Sequence, residues 1–121
     1  MTGRGRRTAD PAPGIVRQGD VLLVPVDGIP WSRQRDVAPR RGELVLAEGE
    51  ATGHAHVVRG RARLVRATRH HQHPGETYLV VTGRAALVHE EHDRIELARG
   101  TYEVRRQREY EPRRHARRVA D

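Results

Sequence analysis

Two short segments hold four of the eight histidines in this chain: His54-Ala-His56 and His89-Glu-Glu-His92. Neutral imidazole is the commonest side-chain metal ligand, and a metal ion needs donors that converge from separate elements. Residues two apart on a β-strand point to one face, so a His-x-His pair sets both rings side by side. His89 closes an apolar run, and His92 falls within the turn that follows. If the two segments meet, His54, His56, His89 and His92 can surround a divalent metal ion (zinc, iron, manganese or nickel) or a small polar ligand, with Glu90 or Glu91 as an oxygen donor. In an enzyme such a metal would act as a Lewis acid or activate a water, and Glu90 or Glu91 would be the nearest general base. The competing reading makes the same histidines polar side chains on a solvated sheet face. Other chemistry is excluded more firmly. There is no Cys, Ser32 is the single serine, and no phosphate-cradling glycine loop is present. His70, His71 and His73 precede Pro74 in a segment that reads as a loop, solvated or able to gate the site.

The elements that would position these residues have to be strands. The chain has 121 residues, enough for one domain, and only 36% of them are apolar, with no Phe, one Trp and three Tyr. A thin core of Val, Leu, Ile and Ala fits a sheet with one buried face. No window holds 18 apolar residues, so no membrane span is expected. The N-terminus carries charge but no apolar run, so no secretory signal is expected and the cytoplasm is the default location.

Taken in order, residues 1–14 contain mainly Gly, Pro and Arg and are predicted to be a disordered basic arm. The domain is expected over residues 15–110. Gln18-Gly-Asp20 is a turn and Val21–Val26 a strand, with Pro25 placing it at an edge or near its end. Residues 31–41 read as an exposed polar loop, with Trp31 capping one end of the core. Strands are predicted over 43–47, 52–58 and 61–67, with a turn at Gly60-Arg61. Residues 77–82 and 84–89 are predicted to form a hairpin about Gly83. Short strands follow at 95–97 and 101–107. Leu79, Val81, Leu87, Tyr102 and Val104 are the expected core. The pattern indicates an all-β, small single-domain β-barrel or sandwich.

His54-Ala-His56, followed by Glu76 and by Gly83 seven residues later, resembles the first motif of the cupin family of double-stranded β-helix proteins. In that family the two histidines and the glutamate bind a metal ion together with a further histidine. The resemblance therefore implies a metal at His54, His56 and Glu76, with His89 or His92 as the additional ligand. The stretches from Glu48 to His54 and from Tyr102 to Tyr110 are also similar to a group of small uncharacterised bacterial and phage proteins.

Charge supplies a second class of function. All 23 basic residues are Arg, and the net charge is +7. Arg pairs bidentately with carboxylate or phosphate, and a basic chain attracts nucleic acid. Arg105, Arg106, Arg108, Arg113, Arg114, Arg117 and Arg118 cluster toward the end of the chain, and residues 111–121 read as an Arg-rich tail, with a short helix over 112–120. The tail would bind nucleic acid or dock on a partner protein, and homo-oligomerisation stays open. Codon bias toward Arg accounts for the Arg-for-Lys preference without any partner.

Overall fold

The structure, a computed structural model, describes residues 12–48, 54–68 and 75–107. They form eight strands: β1 (Val16–Gln18), β2 (Val21–Val26), β3 (Arg33–Val37), β4 (Leu44–Glu48), β5 (Ala55–Thr68), β6 (Glu76–Val88), β7 (Ile95–Leu97) and β8 (Gly100–Arg106). All pairings are antiparallel, in one sheet of order β1-β2-β8-β6-β5-β3, with β4 added to β5 and β7 to β6. The fold is all-β, as the alternating pattern predicted. The sheet keeps its edges and does not close into a barrel.

The frame is the long hairpin of β5 and β6, in register from Val57↔Val88 to Ala67↔Glu76. Each of its strands changes partner halfway along. On β5, β4 covers residues 55–58 and β3 covers 64–68, while on β6, β7 covers 85–87 and β8 covers 77–81. The ladder between β5 and β6 slips at Gly60/Ala62, and this bulge divides the sheet into two halves. One core joins them: Leu44, Leu46, Val58, Leu87 and Leu97 come from one half, and Val21, Leu23, Leu64, Leu79, Val81, Tyr102 and Val104 from the other. The five residues expected in the core are all buried. Two side chains also stitch the halves: Arg106 donates to the Leu46 carbonyl at 3.0 Å, and Gln18 to that of Leu87 at 3.2 Å.

Three local expectations are corrected. Gly60-Arg61 is a bulge inside β5 and not a turn. Gly60 adopts φ 118°, and a Cβ there would lie 2.3 Å from the Arg84 carbonyl oxygen, so the glycine permits close backbone approach without reversing the chain. Gly83 likewise makes no hairpin: β6 runs through it, with the Arg61 side chain packed over its open face. The polar stretch 31–41 contains β3, whose five residues are all exposed. An edge strand with both faces wet carries no apolar alternation, so periodicity cannot reveal it. Arg41 and Gly42 form a turn bracketed by the Arg40↔Glu43 bridge. Trp31 is half-buried and donates its indole N–H to Glu76 at 2.9 Å. The predicted helix over 112–120 and most of the N-terminal arm lie outside the described residues. No helix among the described residues is long and apolar enough to cross a membrane.

Candidate metal centre

The β5–β6 register brings the two histidine segments together. Val57 opposes Val88, so the next residues outward, His56 and His89, are neighbours at the same end of the hairpin. Their rings stack with centroids 4.2 Å apart. The chain then turns toward β7, and this turn carries His92 back over the pair, 4.6 Å from the His89 ring and 5.7 Å from that of His56. One potential ligand nitrogen from each of His56, His89 and His92 lies within 4.8 Å of the other two, the one such group among the described residues. His56 is only 5% exposed, which removes it from any solvated face, whereas His92 is exposed.

The floor of this group comes from the β1–β2 turn. Gln18 is 3% exposed at the end of β1, and its amide nitrogen donates to the carbonyls of Leu87 and Asp93 at 3.2 and 2.9 Å. Both amide protons are thereby committed, so the amide oxygen faces His56 Nδ1 at 2.9 Å and must accept its proton. In the neutral ring this contact leaves the lone pair on Nε2, as a metal ligand requires. Gly19, at φ 60°, completes the floor: a Cβ there would lie 2.9 Å from His92 Nε2 and 3.1 Å from His56 Cε1. Beside it, Asp20 places a carboxylate oxygen 3.5 Å from His56 Nε2. His89 is less prepared, because its Nδ1 accepts the Glu91 N–H at 3.0 Å. Coordination through either nitrogen would cost His89 that contact.

His54 sits just before β5 and outside the triad. Its ring meets His89 edge-on at 6.1 Å, and its nitrogens lie 3.3 Å from Glu91 and 3.6 Å from Glu90. The two candidate general bases are exposed and lie against His54. The structure thus joins three of the four predicted histidines and sets the fourth, with both glutamates, on the rim. Glu76, the ligand implied by the cupin resemblance, opposes Ala67 at the far end of the hairpin. That is roughly 35 Å along β5 from His56 at the rise of a strand. Its carboxylate instead accepts from Trp31 and from Tyr78, whose hydroxyl is 2.8 Å away. Burial, followed by the Glu76 contact and charge, pushes the Tyr78 hydroxyl well above its ordinary pKa.

Gln18, Gly19 and Asp20 were not predicted as site residues, since Gln-Gly-Asp alone reads as an ordinary turn. The one available signal was a polar side chain at Gln18, two residues beyond Val16 and so on the same face of a strand. Of the Arg cluster, Arg105 pairs with Glu103 at 2.9 Å and Arg106 is engaged at Leu46. Arg108, Arg113, Arg114, Arg117 and Arg118 lie outside the described residues, as do His70, His71 and His73.

No curated protein and no solved structure matches the chain. A family model, that of a domain of unknown function (DUF8820), matches residues 17–107, from the middle of β1 to the residue after β8. This span contains every element of the histidine site, and the chain belongs to the DUF8820 family.

Proposed function

We propose that this domain binds a first-row divalent metal ion through His56, His89 and His92. The reading is carried by the convergence of three imidazoles, from β5 and from the β6–β7 turn, within 4.8 Å of one another. Imidazole donors favour zinc, nickel, iron or copper over magnesium or calcium. A tetrahedral ion with bonds of about 2.0–2.2 Å sets its donors about 3.4 Å apart, so the widest spacing in the triad has to close by up to about 1.4 Å. His92, exposed on a turn, has the freedom to move. Gln18 supports the reading, because a hydrogen bond that fixes the tautomer of a ligating histidine is the usual partner of a metal site.

The test is the metal content of protein purified without added metal, followed by titration with zinc or cobalt(II). Stoichiometric metal in the native chain, lost in the His56→Ala, His92→Ala double variant with the fold retained, is the expected result. A native chain that takes up neither ion would overturn the proposal.

A further inference from the structure

Where β7 gives way to β8 along β6, the sheet has a concave place outside the histidine site. We infer that it binds the phosphate group of a small phosphomonoester through Arg84 and Arg99. The site begins with a break in the ladder. β6 pairs with β8 from Thr77 to Val81 and with β7 from Ala85 to Leu87, so Thr82, Gly83 and Arg84 have no ladder partner on that side. Ala98 and Arg99, which join β7 to β8, lie opposite the gap. A depression of about 370 Å³ opens there, lined by Gly83 and Arg84 of β6, Glu96 and Leu97 of β7, and Ala98 and Arg99. It is roughly 16 Å along β6 from His89 at the rise of a strand, so the inference stands apart from the metal reading.

The charges around this depression are unbalanced. Arg40, Arg59, Arg63, Arg94 and Arg105 are each paired with a carboxylate. Arg84 and Arg99 have no carboxylate partner among the described residues, yet they share one cavity. Glu96, the one acid of the lining, is taken by Arg94 at 2.9 Å. Arg61, also without a carboxylate partner, lays its stem across Gly83 and adds a third positive charge beside the site. The Ala98 carbonyl, an acceptor that would repel an anion, accepts the Tyr102 hydroxyl at 2.6 Å. A guanidinium stays charged across the physiological pH range, and its planar fork pairs bidentately with phosphate oxygens. Two forks match a monoester, which has three terminal oxygens and a charge of about −1.5 to −2. A carboxylate offers two oxygens and one charge, and a nucleic-acid phosphodiester also carries only one charge. The volume is that of a small-molecule site.

The experiment titrates the full-length, chelator-treated chain with inorganic phosphate, with adenosine monophosphate and with an oligonucleotide lacking terminal phosphates. Backbone amide and arginine Nε resonances are followed by NMR, and the chelator keeps phosphate from reporting a metal at the histidines. Both phosphate probes should give saturable shifts at residues 82–84 and 98–99, with a Kd of about 1 mM or tighter. Arg84→Gln and Arg99→Gln should each weaken binding about tenfold, as expected for a hydrogen bond to a charged group. Both side chains are exposed, so neither change requires repacking. Arg33→Gln with Arg35→Gln removes two charges from β3, toward the other end of the hairpin, and should leave binding within about twofold of native. Equal weakening by that control would show that net charge attracts the anion, and would overturn the site. Native affinity in the Arg84→Gln, Arg99→Gln double variant would overturn it too, as would a native chain with no saturation by about 10 mM. Shifts with the oligonucleotide alone would replace the monoester by a nucleic-acid backbone and overturn the inference.

Discussion

The side-chain oxygen of Gln18 accepts the Nδ1 proton of His56 at 2.9 Å, and this contact leaves Nε2 as the ring nitrogen that faces Asp20. Gln18→Ala should therefore release His56 to exchange tautomers, read from its ring-nitrogen chemical shifts. It also strips the Leu87 and Asp93 carbonyls of a donor. A loss of about 1–3 kcal/mol in chemical denaturation is expected from polar groups left unsatisfied in the interior. Unchanged ring-nitrogen shifts would show that Gln18 does not set the tautomer.

Gly19 tests the space beneath the rings. An added Cβ would meet His92 and His56 at 2.9 and 3.1 Å, in a left-handed conformation. Gly19→Ala should cost about 1–2 kcal/mol from the backbone and, separately, reduce zinc affinity by filling the space between the rings. Isothermal titration beside a denaturation curve distinguishes the two effects. Native affinity in a destabilised variant would mean that the ion does not sit over Gly19.

Gly60 and Gly83 both interrupt apolar runs but do different things. At Gly60 a Cβ would collide with the backbone of Arg84 and Ala85 at φ 118°, whereas at Gly83 it would meet the Arg61 side chain. Gly60→Ala should destabilise by about 3 kcal/mol or more, combining a strained φ with a backbone clash. Gly83→Ala should cost less than half of that, because a surface arginine can shift. Equal losses in thermal unfolding would place the bend of the sheet elsewhere.

Tyr78 and Tyr102 are both buried, and burial holds each hydroxyl above the ordinary value of 10.0, with Glu76 adding to the effect at Tyr78. A hydroxyl with a raised folded-state pKa favours folding fully below the unfolded pKa of about 10, and this contribution is lost as pH rises beyond it. Tyrosinate absorbance followed against pH should show these two residues ionising only as the far-ultraviolet signal of the sheet is lost. Normal titration of all three tyrosines in a folded chain would contradict the burial.

The alternation of Tyr102 and Val104, and of Leu79 and Val81, determined a β protein from sequence alone, because a half-buried strand has no other way to arrange its side chains. The two histidine motifs stood out in the sequence, but no local rule says which of their members meet. Gly60 and Gly83 misled, since glycine serves a turn, a bulge and a close approach equally well, and only a partner strand shows which one applies. The all-exposed β3 left no periodic trace. Tertiary structure alone decided that His56, His89 and His92 converge while His54 turns to Glu90 and Glu91, because this depends on the register of β5 against β6. It alone placed Gln18, Gly19 and Asp20 beneath the rings. They lie more than 30 residues before His54, and only the folding of the β1–β2 turn onto the end of the hairpin makes them part of the site.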